Sequence, residues 1–271
     1  MRDPSRNAHR DTLRPVRAII TGASSGIGAA LAHELGRRGW TLALLARRAD
    51  LLDALAHELP TKSVALACDV TDATAVREAV KRGEEALGGP FDLAVANAGV
   101  GVPSHAAKFI LADAELMVRV NVLGMFNLFD AVIPSMVERR SGRFVGVASI
   151  AGLRGLPATS VYSATKAAMQ AFLEASRIDL LQYGVGVTTI NPGFIETAMT
   201  EKNRFKMPFL MKVDDAARVI ADGLERGKRV VEFPRPMSLF MRFGRLIPDA
   251  LWERATSPYA RRKIEPEKVR R

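Results

Sequence analysis

Three residues within one stretch of this 271-residue chain carry groups that can bind and move a proton. Ser149 stands at the end of an apolar run, and Tyr162 and Lys166 follow it four residues apart. In a helix, positions i and i+4 lie one above the other, so phenol and ammonium would address one small volume. An ammonium beside a phenol favours the ionised form and lowers the phenol pKa from about 10 toward working pH. Such a tyrosine can give and take a proton during a reaction. Ser149 is then suited to hydrogen-bond an oxygen held between the two. A Tyr/Lys pair at this spacing also occurs on plain surface helices, and a second motif is needed to make it a site.

The second motif lies far upstream. Thr21-Gly22-Ala23-Ser24-Ser25-Gly26-Ile27-Gly28 stands between a short apolar run and a helical pattern. Its glycines permit a tight turn and a close backbone approach. The helix that follows presents free N–H groups and a positive dipole end, the features that hold phosphate. The spacing G-x-x-x-G-x-G differs from the common G-x-G-x-x-G. Its place between strand and helix is nevertheless the one a dinucleotide-binding turn requires.

These groups need elements to position them. The pattern predicts strands over 17–21, 41–46, 63–68, 91–96, 144–148, 185–190 and 229–232. Between them it predicts helices over 27–38, 50–59, 72–87, 112–139, 159–182 and 214–226, with Thr71 or Asp72 as a cap. Strands alternating with long helices imply right-handed crossovers: an α/β fold, one doubly wound parallel sheet with helices on both faces. Ligands bind such sheets beyond the carboxyl ends of the strands. Gly22, Asn97, Ser149 and Pro192 each fall at or just after a strand end, so distant segments converge on one crevice.

Composition sets the bounds. The chain is 48% hydrophobic and 25% charged, ordinary for a globular protein, and long enough for one sizeable core. No apolar run approaches a membrane span, and no signal peptide opens the chain. The single cysteine, Cys68, suits a reducing compartment, and the cytoplasm is the expected location. His9, His33, His57 and His105 show no metal-ligand spacing, and no metal is expected. The net charge of +10 is concentrated at the termini. Residues 1–17 carry +3 and residues 261–271 carry +4, which points to solvated tails and not to a nucleic-acid face. The Arg-rich start faintly suggests a transit peptide, but Asp3, Asp11 and two prolines spoil a basic amphipathic helix. The expected organisation is a disordered basic extension over 1–16, a catalytic domain over 17–235, and an amphipathic segment with a basic tail over 236–271.

Taken together, TGASSGIG, Asp69, Asn97-Ala98-Gly99, Asn121, Ser149, Tyr162-Ser-Ala-Thr-Lys166 and Asn191-Pro192-Gly193 resemble the short-chain dehydrogenase/reductase family in order and spacing. The resemblance spans about residues 17–232 and implies a single-domain Rossmann-type fold. It implies that Gly22, Ser24, Ser25, Ile27 and Gly28 hold cofactor phosphates and that Asp69 and Val70 hold the adenine. Asn97, Ala98 and Gly99 would line the adenine ribose. Pro192, Gly193, Ile195 and Thr197 would hold the carboxamide. Many relatives have a double Asn where this chain reads Ala96-Asn97. The implied reaction moves hydride between nicotinamide and a carbonyl or secondary alcohol. Tyr162 would serve as acid/base, Ser149 would orient the oxygen, Lys166 would hold the nicotinamide ribose, and Asn121 would position a water.

The second strand bears on the nucleotide. It ends in Arg47-Arg48 with no acid before Asp50, and a guanidinium there suits a 2′-phosphate where an acid would suit a hydroxyl. NADP(H) is therefore expected over NAD(H), with Arg47 as the main contact. The apolar stretch 194–211 (Phe194, Met199, Phe205, Met207, Phe209, Leu210, Met211), with Val100, Val102, Ile150, Leu153 and Leu156, suggests a lipophilic small-molecule substrate. Leu239, Phe240, Phe243, Leu246 and Ile247 form an amphipathic stripe. Its possible uses rank as a cover for the cleft, a subunit interface, and last a peripheral membrane contact. The family implies a homodimer or homotetramer through the helices near 112–139 and 159–182. A non-catalytic NADP(H)-binding sensor or scaffold is the competing reading, and no nucleic-acid partner is expected.

Overall fold

The computed structural model describes residues 16–201 and 207–260. Residues 1–15 of the expected basic extension over 1–16, Phe205 and the tail over 261–271 lie outside the described residues. β1 (Arg17–Thr21), β2 (Thr41–Ala46), β3 (Ser63–Ala67), β4 (Leu93–Ala96), β5 (Arg143–Val147), β6 (Gly186–Pro192) and β7 (Val230–Phe233) form one sheet. Its order is β3-β2-β1-β4-β5-β6-β7. Every neighbouring pair is parallel. The order reverses between β1 and β4, which opens a crevice at their carboxyl ends.

Successive residues of each strand point to opposite faces. In β1, Ile20 joins a core layer with Leu31 and Leu35 of α1 (Gly26–Arg37), Leu52 of α2 (Ala49–Glu58) and Ile220 of α8 (Val213–Glu225). Ile19 joins the opposite layer, with Val80 of α3 (Ala73–Leu87), Leu128 of α5 (Gly124–Glu138) and Leu173 of α6 (Ser160–Asp179). Fully buried side chains of this size each contribute about 1.5–3 kcal/mol. Asp72 caps α3 by accepting from the N–H groups of Thr74 and Ala75, and Gly88 ends it in the left-handed conformation. α1 is tied to α8 by charge: Arg38 donates to Asp222 and Glu225 at 2.8 Å each while also holding Glu34. Desolvation opposes ionisation of Glu34, but its hydrogen bonds from Arg37 and Arg38 prevail and keep its carboxyl below the usual range.

Most element limits differ from the expected ones by a residue or two, but three findings depart further. The helix expected unbroken over 112–139 contains a π segment. α4 (Leu111–Met117) passes through Val118–Leu123 in π geometry before continuing as α5. This 28-residue run, with a mean hydropathy of 1.6 in its most apolar window, is also long and apolar enough to cross a membrane. That revises the expectation of no such run. It is an element of the fold's helical layer, with α5 against β4, β5 and α3. Third, the C-terminal stripe faces outward. α9 (Arg235–Gly244) buries Ser238, Met241 and Gly244, while Leu239, Phe240 and Phe243 stay exposed. Leu246 in the following turn is exposed as well. α7 (Ala198–Glu201) and α10 (Asp249–Ala260) complete the described elements.

Candidate active site

Ser149 lies two residues beyond β5, where its side chain caps the short 3-10 turn Ile150–Gly152 by accepting from the Ala151 N–H at 3.1 Å. Its hydroxyl also reaches the Pro192 carbonyl at 3.4 Å, joining the ends of β5 and β6. Gly152 lets this turn lie directly on α6: a Cβ there would stand 2.6 Å from the Lys166 carbonyl carbon. Tyr162 and Lys166 project from α6 beside the turn.

Lys166 is buried, and its ammonium donates to the Val147 carbonyl at 2.8 Å. It lies 5.7 Å from the centroid of the Tyr162 ring. Desolvation pushes the Lys166 pKa down to about 8. The Tyr162 phenol moves up from its ordinary value, because desolvation outweighs the Ser149 hydrogen bond that pulls it down. This corrects the expectation that Lys166 lowers it. Two groups brought out of water compete here, and the lysine turns its protons toward a backbone carbonyl. In this arrangement burial favours the protonated form of the Tyr162 phenol.

Asn121 sits in the π segment, fully buried. It accepts from the Val100 N–H at 2.7 Å, donates to the Val100 carbonyl at 3.0 Å, and donates to Thr165 Oγ1 at 3.1 Å. A Cβ on Gly99 would stand 3.3 Å from Asn121 Oδ1 and 3.5 Å from Lys166 Nζ, so the segment after β4, the π segment and α6 meet at this glycine.

The glycine-rich turn forms the neighbouring wall. Gly22 and Gly26 adopt positive φ values of 67° and 57°, and a Cβ on Gly28 would stand 2.3 Å from the Gly22 carbonyl oxygen. These positions therefore need glycine. The N-terminus of α1 has no side-chain cap from Ser25 and no acid in its first turn. Its donors and dipole thus remain available to an anion. The hydroxyls of Ser24 and Ser25 accept from the Arg48 guanidinium at 2.9 and 3.0 Å. A guanidinium, an uncapped helix start and a close backbone turn fit the phosphates of a dinucleotide.

The remaining expected contacts occupy several roles. The Asn97 amide donates to the carbonyls of Thr21 and Gly22 at 2.9 and 3.2 Å, bracing β4 against the turn beside Ala98. Exposed Asp69 accepts from the N–H and hydroxyl of Thr71, both at 2.9 Å, and buried Val70 holds Asn127 through its carbonyl. Gly193 donates to the Phe233 carbonyl at 2.7 Å, and Ile195 bridges to Met211. Thr197 faces the turn, its methyl 3.3 Å from where a Gly26 Cβ would be. Arg47, next in sequence to the guanidinium on the turn, is exposed at the end of β2.

Sequence reasoning gave no separate role to four residues of this frame. Arg48 is one, named only as the neighbour of Arg47, the expected main contact. Thr21 is another: its hydroxyl accepts from the N–H groups of Asn97 and Ala98 at 3.0 and 3.1 Å. Gln170 donates to the Ser149 carbonyl at 2.7 Å and to Asn191 Oδ1 at 2.9 Å, fixing both strand ends. Gly152 is the fourth. Gln170 could have been found as the residue one turn beyond Lys166 on the same helix face.

Met199 and the Tyr162 ring flank Gly101. A cavity of about 380 Å³ is lined by Glu196, Thr197, Thr200, Glu201, Met207 and Leu210, adding two carboxylates to the expected apolar lining. Ile150 is not part of this lining. It is buried with Met241 and Trp252, and Leu153, Leu156 and Met237 pack against that cluster.

A family model described as short chain dehydrogenase matches residues 17–207. An uncharacterized oxidoreductase of Myxococcus xanthus (strain DK1622) is 41% identical over 241 residues, 88% of this chain and 95% of the relative. The fold is similar to that of a 3-ketoacyl-(acyl-carrier-protein) reductase from Brucella melitensis solved with NADH. There the TM-score is 0.75 at 26% identity, covering 82% of this chain and 98% of the other. It is similar also to an alcohol dehydrogenase from the archaeon Thermococcus sibiricus complexed with 5-hydroxy-NADP, with a TM-score of 0.72 at 29% identity, covering 81% and 95%.

Proposed function

This chain belongs to the short chain dehydrogenase family and is an oxidoreductase, and from that footing we propose that it uses NADP(H) to interconvert a lipophilic ketone and its secondary alcohol. The observation that carries the reading is the meeting of Ser149, at the end of β5, with Tyr162 and Lys166 of α6, beside the glycine-rich turn. When bound, NADP(H) supplies or accepts the hydride. Tyr162 gives its proton to the substrate oxygen in reduction and takes it back in oxidation. Ser149 orients that oxygen. Lys166 and Asn121 fix the floor of the site beneath Gly99, and Lys166 has donors to offer the nicotinamide ribose.

The preference for NADP(H) is supported by Arg48 held over the turn by Ser24 and Ser25, with Arg47 beside it and no acid before Asp50. Gly22, Ser24, Ser25, Ile27 and Gly28 would hold the phosphates, Asp69 and Val70 the adenine, Asn97, Ala98 and Gly99 the ribose, and Pro192, Gly193, Ile195 and Thr197 the carboxamide. Met199, Met207 and Leu210 support an apolar substrate. Homo-oligomerisation through the two long helices is part of this reading, and the exposed Leu123 and Ile178 on them support it.

The test is nicotinamide absorbance with ketones of graded size and polarity, NADPH and NADH in parallel. Turnover with NADPH on bulky apolar ketones is the expected result. Tight NADPH binding without turnover on any of them would favour a sensor.

A further inference from the structure

We propose that the outward face of α9 docks this protein on an anionic lipid bilayer. Leu239, Phe240, Phe243 and Leu246 are 55%, 63%, 65% and 79% exposed, all within eight residues. Their direction is fixed from behind. The opposite side of α9 is buried through Met241 with Ile150 and Trp252. Arg154 donates to the carbonyls of Gly244 and Ile247, pairs with Asp249, and stacks 5.0 Å over the Trp252 ring. A helix held this way cannot roll to hide its aromatic side.

Charge selects the occupant. Residues 235–271 hold ten Lys or Arg against four acids, +6 of the chain's +10. Arg235 and Arg245 are exposed at the two ends of the apolar arc, and Arg242, between them, is paired with Glu232 at 2.8 and 3.1 Å. An apolar arc bordered by arginine is the pattern of a helix lying in the plane of a membrane interface, where anionic headgroups add attraction. A second copy would meet this face with its own identical patch, bringing the arginines that border the two arcs together. Lipid phosphate neutralises what a symmetric dimer would oppose. The docking is independent of the proposed substrate. Its consequence for that reading is that the helix resting on the bilayer also packs on Ile150, Leu153 and Leu156, between Ser149 and Tyr162.

The experiment is cosedimentation of the full chain with phosphatidylglycerol/phosphatidylcholine vesicles, against phosphatidylcholine alone, at low and high salt. The double variant Phe243→Ser/Leu246→Ser is carried in parallel, with its melting temperature as a check on folding. The expected result is binding to the anionic vesicles that salt weakens, reduced about tenfold or more in the double variant. Should that variant melt lower, Leu246→Ser alone serves, and a loss of several-fold is expected. No sedimentation with anionic vesicles at low salt overturns the proposal. So does sedimentation that the substitutions leave unchanged, which would assign binding to the basic tail alone. A fall in apparent mass on gel filtration without vesicle binding would assign the face to a second copy. NADPH binding by the same samples reports separately on the cofactor reading.

Discussion

Lys166 gives its buried ammonium to the carbonyl of Val147, 2.8 Å away at the end of β5. The bond does not offset the burial, for the pKa falls to about 8 from the ordinary 10.5. Below about pH 8 both folded and unfolded chains carry the proton, and the folded state bears the full cost of the buried charge. Between about 8 and 10.5 the unfolded chain binds more proton, so this group raises stability with pH. That cost is about 3 kcal/mol, and losing the Val147 bond takes back about 1 kcal/mol. Lys166→Met is therefore expected to be inactive yet about 2 kcal/mol more stable near neutral pH. Urea unfolding of both proteins at several pH values checks this. The difference between them should shrink above about pH 8, which removes the opposing contributions of Tyr162 and Cys68 from the comparison.

Tyr162→Phe should lower turnover by roughly a hundredfold to ten-thousandfold and leave NADPH affinity nearly intact. Because burial raises the phenol pKa, wild-type carbonyl reduction should hold its rate through mildly alkaline pH. Single-turnover kinetics and a fluorescence titration separate the two effects. Retained turnover in the variant would remove Tyr162 from the mechanism.

The two arginines after β2 can be told apart. Arg48→Ala should weaken NADPH binding about tenfold to a hundredfold, the worth of a charge-assisted pair, with NADH binding unchanged. Arg47→Asp should move preference toward NADH. Parallel titrations with both nucleotides measure each. A double variant with the wild-type preference would end the assignment to NADP(H).

Asn121→Leu strands the N–H and carbonyl of Val100 that the amide satisfies. Each orphaned group costs about 1–3 kcal/mol, so a loss of about 3 kcal/mol is expected in urea unfolding. A loss under 1 kcal/mol would mean the loop after β4 finds other partners.

The crevice was legible because its residues sit at strand ends, and strand ends follow from alternation and glycine placement. Gly22, Asn97, Ser149 and Pro192 fall together for that reason. Other features depend on partners distant in sequence. The direction of the Tyr162 pKa follows from how deeply the phenol is desolvated, which a four-residue spacing does not encode. Which of two adjacent arginines reaches the turn depends on how α2 starts, a rotation of one residue. The C-terminal stripe was visible as a period. Its burial could not be read, because Met237 and Met241 offered a second apolar side to the core.

The π segment has a consequence for chain length. An α-helix turns about 100° per residue, and a π turn accommodates one residue beyond the α repeat. α4 and α5 are therefore out of phase by about one residue, α4 meeting α6 while α5 meets α3 and the sheet. Deleting one residue from Val118–Leu123 would restore a regular helix, yet rotate one half of it out of register with its neighbours. This helix thus has a fixed reading frame: a change of a single residue in its length would have to abandon either the sheet or Asn121.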